Sequence, residues 1–286
     1  MSEFLVVGGN GHVGKEVVAQ LLDAGHSVRA LVRSEARVPV LKRDGVTLFV
    51  GDIANADSLA PAMRGIESAY VATSDGEESV AAFETFLKAA LEHRLQHIVR
   101  LSARSADASS SSDLTRRHGL REKALEESEI GWTHLRPTWF MQMMTEYAPG
   151  GVIAVPGGEG RIPWIDTRDI AAVAVASLID GGDHLGQTYE LTGGRPLTYG
   201  DLARDMSAAT GRTFEYHDMS PEDYAAKMRA EGNEEWYIAL ILQLYESIRS
   251  NSKAELALGV QEALNRQPIT FAQFCRDHAD ELVKQL

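Results

Sequence analysis

The 286-residue chain has a single cysteine, Cys275, so no intrachain disulfide can staple it. Cys275 follows Phe271 and Phe274 at helical spacing, which fits a core thiol better than a catalytic one. No apolar run approaches the roughly 20 residues that a bilayer span requires, so a membrane is not an expected partner. The opening Met1-Ser2-Glu3-Phe4 lacks the basic start of a signal peptide, and the expected location is the cytoplasm. Positive charge is scarce: 28 Lys and Arg stand against 41 Asp and Glu, a net charge of −13. No basic block offsets this, so phosphate backbones are repelled and nucleic acid is not an expected partner. No grouping of histidines and carboxylates has metal-ligand spacing, and no metal site is expected.

What is present is ordinary globular composition, 44% hydrophobic and 24% charged, with enough length for a large sheet and a smaller C-terminal lobe. Through about residue 136, short β-branched runs alternate with longer segments whose apolar residues recur every three or four positions. That rhythm predicts parallel strands joined by crossover helices, a doubly wound α/β sheet. Strands are predicted over 4–7, 27–32, 47–50, 68–72, 97–101 and 132–135, and helices over 13–23, 58–63, 80–92 and 114–127. The Ser- and Ala-rich stretch 105–113 is expected to be a mobile loop. After Pro137 the rhythm changes. Residues 152–155 and 162–165 flank Pro156-Gly-Gly-Glu-Gly160 and suggest a strand pair around a glycine-rich turn. Thr198 with Asp201, Ser220 with Pro221, and Thr270 with Gln273 mark helix starts, so the final stretch is expected to be mostly helical. The predicted division is 1–148 for the sheet domain and 149–286 for the smaller lobe, with exchange of a strand or helix between them allowed.

Residues 8 to 14 read Gly-Gly-Asn-Gly-His-Val-Gly, directly after the first strand and directly before the first helix. In that context Gly8 permits a tight turn, Gly11 lets a pyrophosphate approach the backbone, and Gly14 allows close helix packing. The helix start at His12 and Val13 then offers free N–H groups to phosphates, with Asn10 beside them. A dinucleotide is therefore the expected cofactor. Arg33 ends the second strand where an acidic residue would select NAD, so the expectation is NADP(H), with Arg37 a second candidate. Asp52 and Ile53 after the third strand are expected at the adenine, and Ala72 and Thr73 after the fourth lie at cofactor depth.

With these residues placed, the chain resembles the NmrA-like atypical short-chain dehydrogenase/reductases. The resemblance rests on the glycine turn with Arg33, on His118-Gly-Leu-Arg-Glu122-Lys123, and on Leu135-Arg-Pro-Thr-Trp-Phe-Met-Gln142. It looks closest to the branch of ergot alkaloid biosynthesis reductases, through Ile162-Pro-Trp-Ile-Asp-Thr-Arg-Asp-Ile-Ala171 and Tyr189-Glu-Leu-Thr-Gly193. The resemblance implies a Rossmann domain, a small C-terminal domain, a substrate cleft between them, and either reductase activity or non-catalytic redox sensing. Most short-chain dehydrogenases protonate a carbonyl oxygen with a Tyr-x-x-x-Lys pair, yet none of the eight tyrosines here has lysine four residues later. At that helix the chain offers His118 and Glu122 on one face. His118 is a candidate general acid with an ordinary pKa near neutrality, the alternative being a surface histidine paired with Glu122. Ser102 sits where the resemblance implies a hydroxyl that binds the substrate oxygen, the alternative being a plain strand-end serine. Lys123 points about 100° away from Glu122 and is not assigned the missing role.

Trp139, Phe140, Met141, Met143 and Met144 crowd a segment that cannot bury them all on one helix face. Trp139, Phe140 and Met144, joined by Trp164, are the expected acceptor-binding residues. The function expected is an NADPH-dependent reductase acting on a small aromatic or cyclic acceptor, an iminium, quinone or enone. The alternative is an NADP(H)-sensing regulator that turns nothing over. A homodimer is left open.

Overall fold

The structure, a computed structural model, describes residues 2–34 and 38–286. Arg37 lies outside the described residues.

The alternating pattern of the first half folds as β1 (Glu3–Val7), α1 (His12–Asp23), β2 (Ser27–Val32), β3 (Val46–Val50), α2 (Ala56–Met63), β4 (Ser68–Val71), α3 (Ser79–Glu92), β5 (His97–Leu101), α4 (Asp113–Glu126) and β6 (Gly131–Pro137). Each predicted strand and helix of this half is present, with ends shifted by two residues or fewer. The chain continues with β7 (Val152–Val155), α5 (Thr167–Ile179), α6 (Gly181–His184), β8 (Gln187–Leu191), α7 (Tyr199–Thr210) and β9 (Glu215–Asp218). It ends with α8 (Pro221–Ala230), α9 (Glu235–Arg249), α10 (Gly259–Leu264), α11 (Phe271–Asp277) and α12 (Ala279–Val283).

Seven strands form one parallel sheet in the order β3-β2-β1-β4-β5-β6-β8. The chain winds from β1 out to β3, then returns past β1 to β4 and winds outward the other way. Strand order therefore reverses between β1 and β4, and a crevice opens at the carboxyl ends of these two strands. Helices cover both faces, α1 and α5 on one side and α2, α3 and α4 on the other. This is why β1 reads Phe-Leu-Val-Val with no polar alternation. On the α2–α4 side, Leu5, Val7, Ala69 and Ile98 pack against Leu59, Met63, Phe83, Phe86 and Leu125. Full burial of each large member of that set contributes about 1.5–3 kcal/mol.

The chain divides into two units that interleave in sequence. One comprises the chain up to Pro137, Thr167–Leu191 and Gly259–Arg266, and the other Thr138–Asp166, Thr192–Leu258 and Gln267–Leu286. The boundary expected at 148/149 falls inside the second unit, while α5, α6, β8 and α10 belong to the sheet. The seventh strand, β8, was not expected from the sequence.

In the second unit the predicted caps form. Thr198 and Asp201 make a reciprocal capping box at α7, and Ser220 and Thr270 accept from Asp223 N and Gln273 N. The strand pair expected around the glycine-rich turn does not form. β7 instead pairs in parallel with β9, and residues 162–165 make only isolated bridges, Ile162 to Leu197 and Ile165 to Phe140. Pro163 has no N–H to give a ladder, and Gly160 is committed elsewhere, a Cβ there falling 2.2 Å from the carbonyl oxygen of Ile248. Cys275 is a buried core thiol, pushed up to about 12 by that burial. Among the described residues no helix is long and apolar enough to cross a membrane.

Candidate functional site

The glycine turn leaves β1 at the crevice. Gly8 adopts φ +83°, and a Cβ there would stand 2.7 Å from the carbonyl oxygen of Ala72, at the end of β4. Turn and β4 exit therefore meet backbone to backbone, with Ala72 N donating to Val7 O at 3.1 Å. A Cβ on Gly14 would lie 2.1 Å from Gly8 O, so only hydrogen fits between α1 and the turn. Gly11, the N-cap of α1, is different: its nearest neighbour, Gly8 O, is 3.4 Å from a built Cβ, and the space over the helix start is otherwise open. Asn10 and Gly11 are exposed there, at the end of a helix whose first-turn N–H groups point outward along its axis. An open helix start beside a closed turn is the shape a pyrophosphate needs, so these residues fit a dinucleotide.

The remaining coenzyme candidates lie along the same sheet edge. Arg33 is exposed just past β2, and among the described residues no carboxylate pairs with it. Asp52 follows β3 and turns its Oδ1 onto Ala54 N at 2.9 Å, while Ile53 is half-buried against the core. Thr73 follows Ala72, and its hydroxyl accepts from Arg121 Nη1.

Between β4, β5, β6 and α4 lies a charge cluster in which Arg100, His118, Arg121 and Glu122 are buried while Asp75, Arg136 and Glu190 reach the surface. His118 is only 6% exposed, which overturns the alternative of a surface histidine. Its Nε2 donates to Asp75 Oδ1 at 3.0 Å, and its Nδ1 accepts from Arg100 Nη2 at 3.4 Å. Burial drives the imidazole below its ordinary pKa despite the Asp75 carboxylate, so His118 is neutral at pH 7 with both nitrogens engaged. The expected ordinary pKa near neutrality is thereby corrected. Burial would raise Asp75, but the hydrogen bonds and charge from His118 and Arg121 outweigh it and hold the carboxyl at about 2.

Nor does Glu122 pair with His118. It accepts from Arg136 Nε at 3.0 Å and Nη2 at 2.5 Å, with Arg100 Nη1 3.9 Å away, and Arg136 also reaches Glu190 on β8 at 3.3 Å. Arg100, 1% exposed, has its pKa pushed down to about 9, chiefly by burial. The hydroxyl of Ser102 comes close enough to Glu122 to help hold that carboxylate low, but it completes no well-formed hydrogen bond and stands buried without a partner. Lys123 points outward to Glu127.

Arg100, Arg121, Arg136, Asp75 and Glu190 were not singled out from the sequence. One signal was available: Arg100 interrupts His97-Ile-Val-Arg-Leu101, a central strand with both faces covered, where a charge demands partners. Residues 105–113, expected to be mobile, pack onto α4 at Gly119, where a Cβ would lie 2.1 Å from Ala108 N.

The residues expected to bind the acceptor lie in the second unit. Met144 and Trp164 are 0% and 1% exposed, core residues with no face free, and the expectation is corrected for both. Trp139 and Phe140 are half-buried. Trp139 meets Trp164 edge-on at 5.8 Å and Tyr245 at 6.1 Å.

From Gly8 of the turn to the residue after α5, positions 8–180 match the NAD(P)H-binding family. This chain belongs to the NAD(P)H-binding family. It is 33% identical over 279 residues to the NAD(P)H azoreductase of Xenophilus azovorans, covering 96% of this chain and 97% of that protein. It is 32% identical over 285 residues to the (4-alkanoyl-5-oxo-2,5-dihydrofuran-3-yl)methyl phosphate reductase of Streptomyces griseus, covering 96% and 98%. The crystal structure of an NADPH-dependent quinone oxidoreductase from Escherichia coli, complexed with NADPH, superposes with a TM-score of 0.82 at 23% identity, covering 96% of this chain and 99% of that one, and so shares the fold. With reductases as full-length relatives, this NAD(P)H-binding family member is an oxidoreductase.

Proposed function

We propose that the protein is an NADPH-dependent reductase whose acceptor is a small aromatic or cyclic molecule, an iminium, quinone or enone. The observation that carries this reading is the combination at the β1/β4 crevice: a glycine turn closed at Gly8 and Gly14, open at Gly11, and joined just past β2 by an exposed Arg33 that pairs with no carboxylate among the described residues. The bound dinucleotide supplies hydride. Arg33 pairs with the 2′-phosphate, Asp52 and Ile53 border the adenine, and Ala72 and Thr73 border the nicotinamide half. Ser102, with its buried hydroxyl unpartnered, is the hydrogen-bond donor for an acceptor heteroatom. His118 is a positioning residue rather than the acid, since giving up its Nε2 proton would break its bond to Asp75. Trp139 and Phe140 contact the acceptor, and Trp164 and Met144 back them. Acceptors that need no alkoxide protonated suit a site without a Tyr-x-x-x-Lys pair: an iminium becomes neutral on taking hydride, and a quinone or enone delocalises the charge it gains. The finer likeness to the ergot alkaloid reductases belongs to this proposal and rests on residues 162–171 and 189–193.

The neutral, doubly bonded His118 also favours a second reading, a non-catalytic NADP(H) sensor of the NmrA type. Measuring NADPH oxidation against quinones, cyclic imines and enones separates the two. Turnover with any class supports the reductase, and tight NADPH binding with no turnover across the panel supports the sensor.

A further inference from the structure

We propose that Arg121 is a positioning residue that holds the β4 exit, residues 72–75, against the glycine turn and thereby sets the affinity for the coenzyme. The inference rests on the NADPH reading above.

The strand ladder ends with Val71, so Thr73, Ser74 and Asp75 are held from elsewhere. Arg121 is 0% exposed on the inner face of α4. Its Nη1 donates to the Thr73 hydroxyl and to Ser74 O at 3.2 Å, and its Nη2 donates to Asp75 Oδ1 at 2.9 Å. Its Nε is anchored on Arg117 O at 3.1 Å, and Arg117 Nη1 in turn donates to Asp75 O at 2.8 Å. One guanidinium thus grips three consecutive residues of a short connection. Burying a guanidinium is costly, and an apolar side chain would fill the same helix face at less cost. The fork geometry is what an apolar residue, or a lysine with its single nitrogen, cannot reproduce.

The grip matters because of what lies at its other end. Ala72 O stands 2.7 Å from where a Gly8 Cβ would be, so residues 72–75 cannot shift without moving the turn or opening a gap beside it. A dinucleotide lying across the crevice rests on both walls, the turn and the β4 exit. The hydrogen bonds of Arg121 go to Arg117, Thr73, Ser74 and Asp75 and none to the turn, so its effect on binding runs through the segment it holds.

The test is the NADPH dissociation constant of the full chain, measured by calorimetry, alongside the melting temperature of each variant without coenzyme. Arg121→Lys is expected to weaken NADPH binding about tenfold as the charge-assisted fork is lost. Arg136→Gln disturbs the same charge cluster without touching residues 72–75, and it is expected to lower the melting temperature while leaving NADPH affinity within about twofold. A merely structural role for Arg121 would make the two variants alike. Thr73→Val combined with Arg121→Lys should cost less than the two single losses added, because both cut one contact. Equal NADPH affinity in Arg121→Lys and wild type, or strict additivity in that cycle, overturns the inference. Should Arg121→Lys fail to fold, Asp75→Ser decides: it removes the carboxylate the fork grips, and unchanged affinity overturns the inference. Absence of NADPH binding by the wild type overturns the functional reading, and this inference with it.

Discussion

The closed and open halves of the glycine turn predict opposite consequences for one added methyl group. In Gly14→Ala the new Cβ lies 2.1 Å from Gly8 O and 2.8 Å from Gly8 C and Gly9 Cα, all backbone atoms. An ordinary carbon–oxygen contact is about 3.3 Å, so α1 must move roughly 1 Å off the turn. Val17, Val18 and Leu21, fully buried on the same helix, resist that movement. Alanine repays about 0.8–1.0 kcal/mol in helix propensity. Overpacking of this kind costs about 1–3 kcal/mol or more, and the backbone position of the clash places it at the upper end. The net loss is about 1–2 kcal/mol, a fall of about 2–8 °C in melting temperature for a unit of this size. In Gly11→Ala the methyl meets only Gly8 O at 3.4 Å, and the N-cap change costs about 0.5 kcal/mol. Its effect should fall on binding: the methyl occupies the approach of the pyrophosphate, and NADPH affinity should drop about tenfold or more. Differential scanning fluorimetry without coenzyme and calorimetry with it separate the two effects. A Gly14→Ala protein that melts like wild type, or a Gly11→Ala protein that binds NADPH like wild type, refutes the assignment of the turn.

Arg33→Ala should weaken NADPH by about 5- to 30-fold and leave NADH unchanged, since an exposed charge-assisted pair contributes about 1–2 kcal/mol; equal losses for both coenzymes would remove Arg33 from the site. Stability should fall as pH drops below about 6.5, because His97, held down at about 4 by burial and by His184, and His134, held at about 3 chiefly by burial, stay neutral in the fold while the unfolded chain takes up their protons. Each adds a loss of about 1.4 kcal/mol per pH unit over that window, so a urea midpoint that stays flat from pH 7.5 to 5.5 would contradict their burial as neutral groups. Trp139→Ala should raise the acceptor's KM while NADPH affinity stays within about threefold. Trp164→Ala, by contrast, empties a core position and should cost about 3–5 kcal/mol of stability, so comparable melting curves for the two variants would undo the distinction between them.

The sheet half of the protein was legible in the sequence because its information is local. Strands such as 27–32 and 97–101 are marked by short, mostly apolar runs containing valine or isoleucine, their return helices by apolar residues every third or fourth position, and the turn by glycines whose spacing is itself the steric requirement. That the expected coenzyme residues, Gly8 to Gly14 with Arg33, Asp52, Ile53, Ala72 and Thr73, share one sheet edge follows from strand ends alone, since parallel strands bring their carboxyl ends to one edge. Partner choice was not legible. Nothing in the spacing of His118 and Glu122 reveals that one turns to Asp75 and the other to Arg136, because i, i+4 proximity on a helix is weaker than a buried charge's need for a counter-charge. β8 carries no mark of its own in the sequence, because its five residues form a strand only against β6. Residues 162–165 look like a strand, yet Pro163 and the packing of Gly160 on α9 deny them a ladder. Trp164 and Met144 have the composition of a binding surface, and only the packing of Tyr199, Met206 and Phe274 around them in one core decides that they are interior. Local rules wrote the frame and the turn; which buried charge answers which, and which aromatic ring stays accessible, depends on residues distant in sequence and so was settled only in three dimensions.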